Sequence, residues 1–314
     1  MRMGQLAAVT GTSVRVLMAD PLATVLHAGC LGGMLFMGCL PTISNTEHTR
    51  ILRDQCLSFL FLAVCLFLAF GAVRTVTDDL RRGAGDVLAS RPLPNWVLLS
   101  GKLLALLAVA GLIFGSGAAA YLCASEFASD PEHLDPAGVR LLAALPLLAL
   151  LLAGLRSWLL RRPFAVVAGI LMNLSVLACL GVRLLVGVRD NFDWAALPAL
   201  ALLALGACAF AACALLAATL FDSFLALGAC LAVFFLGLVA DESLKQLVSS
   251  PELRAALLAP LPDWRLFWAL DDLGEGLDPR VRLLPAFLQA TLMSLLSLSL
   301  ASLVLDRRDI HGAP

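Results

Sequence analysis

Apolar residues fall into eight long runs with few charges, at residues 22–40, 56–73, 103–123, 139–160, 164–187, 198–220, 224–240 and 282–305. A helix rising 1.5 Å per residue crosses roughly 30 Å of hydrocarbon in about 20 residues, so each run has the length of a membrane span. The pattern predicts an all-α polytopic transmembrane helix bundle of about eight spans, a single membrane domain over residues 1–314. Ahead of the first run, Leu6, Val9, Val16 and Leu17 recur at helical spacing between Gln5, Thr12 and Arg15, which predicts an interfacial helix over 5–19. The first run follows Asp20-Pro21 with no small-residue cleavage signal, so the amino terminus is expected to be retained.

Composition turns that pattern into a statement about solvent. The chain is 61% hydrophobic and 14% charged, with mean hydropathy +0.93. A soluble monomer so composed would expose large apolar patches, which soluble monomers rarely do. The net charge of −1 says nothing about partners, though no nucleic-acid partner is expected, and the distribution of charge is informative. With both termini inside and eight crossings, the inside segments carry twelve of the 22 basic residues and seven of the 23 acidic ones, which favours that orientation. All nine cysteines lie in or at the ends of apolar runs, without metal-site spacing, and read as small packing residues. Cys39 and Cys56 share a predicted outer end, which leaves their pairing open.

Three connecting segments stand out. Residues 74–102 form a cytoplasmic segment in which Thr77 is expected to cap a short helix. Asp78 and Asp79 sit in its first turn, Val76, Leu80, Val87 and Leu88 form its apolar stripe, and Pro92 and Pro94 stop it. Residues 124–138 read as a solvated acidic loop carrying Glu126, Asp130, Glu132 and Asp135. Residues 241–281 form an extracytoplasmic segment with helical stretches near 241–248 and 251–259, whose Trp264, Phe267 and Trp268 suit the outer membrane interface.

No GxxxxGK[ST] occurs, so no phosphate-cradling loop is present and ATP energy would have to come from a partner. His27, His48, His133 and His311 lack ligand spacing, and no catalytic, cofactor or metal site is expected. Gly115-Ser116-Gly117 looks like a nucleophile turn, but it sits in an apolar run and reads as helix packing. Inside the spans, Asn173, Gln289, Ser294 and Ser297 are candidates for a substrate pathway. Arg183 is placed to snorkel to the outer surface, and Ala290, Ser294, Ser297 and Ala301 form a small-residue packing face. The spans lack acids away from their ends, which counts against an ion-driven secondary transporter.

The order Asp79, Gly83, Leu88, Pro92, Trp96, Gly101-Lys102 resembles the stretch after the second span in type-2 ATP-binding-cassette permeases. Departures are Asp79 for a glutamate, Ala84 for a threonine and Asn95 for an arginine. Leu305-Asp306-Arg307-Arg308-Asp309 is similar to the family's carboxyl-terminal ending, and 215–276 is similar to a bacterial subgroup. Family members commonly have six spans, so the pair at 139–187 looks like an inserted hairpin.

The resemblance implies a membrane-spanning permease subunit of an ABC-type exporter in a bacterial inner membrane, without its own ATPase domain. It also implies a permease homodimer or heterodimer, in contact with membrane lipid and docked on a cytoplasmic ABC ATPase that binds the ATP. Asp79, Leu80, Gly83, Val87, Leu88, Pro92 and Lys102 are the ATPase-coupling residues it implies. Two other functions remain open: a membrane assembly subunit that docks an ATPase without transporting, and a secondary transporter.

Overall fold

Asp20 and Pro21 separate the first two helices by local chemistry. Helix α1 (Arg2–Ala19) ends where the Asp20 N–H donates to the Leu17 carbonyl at 3.2 Å. The Asp20 carboxylate then accepts from the Leu22 N–H at 3.0 Å, capping α2 (Pro21–Cys39), while Pro21 occupies a first-turn position where its missing N–H costs nothing. The computed structural model describes residues 2–39, 48–81, 94–127, 136–161, 163–186, 192–247, 250, 262–275 and 277–311.

The chain continues as α3 (His48–Arg81), α4 (Asn95–Phe127), α5 (Pro136–Leu160), α6 (Phe164–Leu185), α7 (Leu197–Leu220) and α8 (Ser223–Leu247). Two short helices, α9 (Trp264–Phe267) and α10 (Leu270–Glu275), precede the last long one, α11 (Leu283–His311). No strand occurs among the described residues. Among the described residues seven helices, α2 to α7 and α11, are long and apolar enough to cross a membrane. The eighth expected span lies in α8, whose apolar part, Ser223–Val239, is shorter than the rest. The protein is a multi-pass transmembrane helix bundle.

Contacts at the two ends give the direction of each helix. At one end, called the near end, Arg74 pairs with Asp20 at 3.2 Å and Asn95 Nδ2 donates to Asp306 at 2.7 Å. At the far end, Arg53 pairs with Asp193, Arg183 with Glu126, and Arg282 with Asp272. The long helices from α2 to α8, and then α11, therefore alternate in direction, as the eight runs predict.

Helix α4 is the hub, packed against α1, α2, α3, α6, α7 and α11, and α3 and α7 join it in the core through Leu60, Leu68, Leu106, Leu202 and Phe210. Against α1 it packs closely: a Cβ at Gly101 would stand 2.7 Å from Val9 Cγ1 and 3.5 Å from the Thr10 backbone nitrogen, so glycine makes the room there. Helices α5 and α6 pack mainly on each other and dock on α2 and α4 from one side. Arg161, between them, takes φ 50°, a left-handed turn residue. The outward side of α5 is a row of exposed leucines, including Leu148, Leu151, Leu155 and Leu159, facing where lipid would lie. The small-residue face of α11 is as expected, with Ala290, Ser297 and Ala301 buried.

Four expectations need correction. Helix α3 passes through Thr77 to Arg81 without a break, and Val76 is buried, so Thr77 starts no new helix and Val76 belongs to the bundle. Glu126 is not a loop acid, because α4 extends to Phe127 and buries it against Arg183. Residues 241–247 continue α8 instead of forming their own helix. Finally, Trp264 and Phe267 are buried inside the bundle. Residues 251–259, expected to be helical, lie outside the described residues.

Trp264 meets Phe61 of α3, Phe210 of α7 and Phe234 of α8, with ring centroids 5.8, 6.0 and 5.8 Å away. Its indole Nε1 donates to the Phe234 carbonyl at 3.0 Å, which satisfies the polar edge of a buried ring. Glycine makes the room: a Cβ at Gly237 would lie 2.3 Å from that nitrogen and 2.7 Å from the Pro262 carbonyl oxygen. The segment thus re-enters the far end of the bundle as an aromatic plug. Non-helical backbone at such depth is tolerated only where protein covers it.

Candidate functional site

Polar groups inside an apolar bundle are costly unless they are paired, so the pairs mark where function concentrates. Three groups occur, one at each end and one between.

At the far end, Arg53 Nε lies 2.9 Å from Asp193 Oδ2, and the Tyr121 hydroxyl donates to the same carboxylate oxygen at 2.6 Å. The Asp193 N–H donates to Ser125 Oγ at 3.3 Å. Across α4, the Arg183 guanidinium grips both oxygens of Glu126, Nε donating to Oε2 at 3.0 Å and Nη2 to Oε1. Arg183 therefore does not snorkel: its side chain is 13% exposed and Glu126 3%. Cys39 and Cys56, whose pairing was left open, are both free thiols.

Midway through the bundle, His27 Nε2 on α2 lies 2.7 Å from Ser116 Oγ on α4, and both residues are buried. Ser116 also donates to the Ile113 carbonyl at 3.0 Å, so the arrangement that satisfies both has the His27 Nε2–H donating to Ser116. Beside them Thr24, His27 and Asn173 line a cavity of about 20 Å³, room for roughly one water. Asn173 Nδ2 donates back to the Gly169 carbonyl at 2.9 Å. A serine–histidine contact of this length raises the question of hydrolysis. Ser116 sits in mid-helix, where the neighbouring N–H groups serve the helix ladder, and its own proton is engaged. No oxyanion donors converge on it, and the pair acts as an interhelical tie. Gly117 beside it packs as expected, since a Cβ there would meet Leu60 and Cys30.

At the near end, Lys102 is buried at 3% exposure and its ammonium donates to the Thr75 carbonyl oxygen. That ties the carboxyl-terminal part of α3 to the first turns of α4. Asp79 and Leu80 fall on the last turns of α3, while Gly83, Val87, Leu88 and Pro92 lie outside the described residues. No family model, curated protein or solved structure matches the chain.

The four pathway candidates do not converge. Asn173 lies on α6, which packs on α5, α4, α2 and α1, whereas Gln289, Ser294 and Ser297 lie on α11, which packs on α7 and α4. Ser297 Oγ approaches Cys213 Sγ at 4.0 Å, and the buried Gln289 Oε1 has no hydrogen-bond partner. Among the described residues no cluster of His, Cys, Asp and Glu has metal-binding geometry. Sequence reasoning missed the His27–Ser116 tie and the Arg53–Asp193–Tyr121 cluster. The readable signal was a polar residue in or beside an apolar run, without its partner.

A second cavity, about 150 Å³, lies between α2, α5 and α6. Every lining residue is apolar, among them Leu31, Gly32, Leu147, Leu150, Met172 and Val176.

Proposed function

We propose that the chain is the membrane-spanning permease subunit of an ABC-type exporter, with the segment from Thr77 to Ser90 docking a separate cytoplasmic ATPase. The observation that carries this reading is the anchoring of Gly101 and Lys102, the last pair of the family-like stretch. Gly101 admits α1 against α4, and Lys102 ties α4 to the end of α3. A force applied at the end of α3 or the start of α4 would thus be delivered to three helices together. ATP binding and hydrolysis in the partner would bias the bundle between two states through differential contacts at this segment. The reading puts the near end in the cytoplasm of a bacterial inner membrane and pairs two permease chains.

Leu80→Asp tests the docking, because a charge in a desolvated contact weakens binding by about 1–4 kcal/mol, from several-fold to roughly a thousandfold. The variant should reach the membrane at the normal level but lose co-purification with an ATPase encoded beside it, together with nucleotide-driven transport in vesicles. Full retention of both would remove the docking assignment.

Sidedness has its own test. In a cysteine-free background, single cysteines at positions 82 and 308 should react only from the cytoplasmic side. Those at 132 and 255 should react only from the other. Reaction of position 132 from the cytoplasm alone would reverse the orientation.

One observation favours gradient-driven transport instead: His27 is a titratable group buried between spans beside a small cavity that Thr24 and Asn173 also line. Uptake that follows an ion gradient without any ATPase would establish that alternative.

A further inference from the structure

We infer that the apolar cavity between α2, α5 and α6 holds a segment of one acyl chain of a bilayer phospholipid. The inference is independent of the permease reading.

Its volume, about 150 Å³, is far too large to be a packing defect, and its lining carries no polar side chain. Apolar cavities of this size stay dry and accept apolar ligands, so water is not the occupant. The cavity is open on the bundle surface: Gly32 and Leu147 line it, Gly32 is exposed and Leu147 is 60% exposed. That surface belongs to membrane-spanning helices, where the abundant mobile apolar molecule is lipid. Nothing lies within 4 Å of where a Cβ at Gly32 would stand, so the opening beside α2 is unobstructed.

Helix α5 is shaped for the same occupant. Pro146 lines the cavity and has no N–H to close on the Leu142 carbonyl, which interrupts the helix ladder along this wall. A lipid chain descends past Leu142 and Ala143 into the cavity. The chain supplies the dispersion contacts that the void lacks.

The test uses the purified full chain in phosphatidylcholine vesicles containing a trace of phosphatidylcholine with a diazirine midway along one acyl chain. After irradiation, labelled peptides are mapped by mass spectrometry. Label is expected to concentrate on residues 28–35 and 142–150, above the level on the lipid-facing side chains of α8 such as Leu231 and Phe235. Gly32→Leu, which has room for its side chain, should fill the opening and lower the cavity label to the α8 level, leaving α8 labelling unchanged. Ala143→Leu should do the same from the opposite wall, so the result does not depend on one variant. Uniform labelling of all lipid-facing helices would overturn the inference. So would cavity label that survives both substitutions, or protection of the cavity by cross-links to a second copy of the chain.

Discussion

Arg183→Met is expected to cost about 3–5 kcal/mol, because it leaves the Glu126 carboxylate buried without its counter-charge. Glu126 is 3% exposed and gives both oxygens to Arg183. The expected result is a large fall in the thermal midpoint of the detergent-purified protein. Replacing both partners, Arg183→Met with Glu126→Leu, should recover most of the loss, since an apolar pair of similar volume has no desolvation to offset. The comparison is made as a double-mutant cycle, so that the coupling and not the single losses is read. A single variant as stable as the parent would mean that the pair does not form in the membrane.

Trp264→Ala should be comparably damaging, about 3–5 kcal/mol for an aromatic ring removed from a packed site. The ring is 2% exposed, touches three helices and donates to the Phe234 carbonyl. Trp264→Phe keeps most of the packing and loses the donor, and should cost roughly 1–3 kcal/mol for the lost hydrogen bond and the lost volume. A cysteine at position 267, in a cysteine-free background, reports the plug directly. It should resist a membrane-impermeant maleimide in the parent and react in Trp264→Ala. Equal reactivity in both would show that the segment does not enter the bundle.

The spans were legible because lipid imposes a length and an apolar composition on each of them. Their ends were less so, since α3 begins at His48, eight residues before its apolar run at 56. Arg53 lengthens it by finding Asp193, a partner 140 positions away that no local pattern announces. The same distance in sequence hid His27 and Ser116, 89 residues apart. Arg183 was read by its nearness to a span end, where snorkelling is the usual solution, but a buried glutamate one helix over offered a better one. Trp264 carries the ordinary signature of an interfacial aromatic, and only the glycine facing it at Gly237 separates a plug from a belt residue. Glycines in spans admit many explanations until the fold selects one.

The plug also bears on how the protein is made. Helices α3, α7 and α8 leave the ribosome before residues 262–267, so the hollow among Phe61, Phe210 and Phe234 is built before the side chain that fills it exists. Until synthesis reaches that point the half-made bundle holds an open aromatic socket, a natural handle for insertion chaperones and membrane proteases. Nascent chains arrested before residue 262 should therefore be degraded faster than chains arrested just after α11, although they already contain α8 and six of the seven helices long enough to cross.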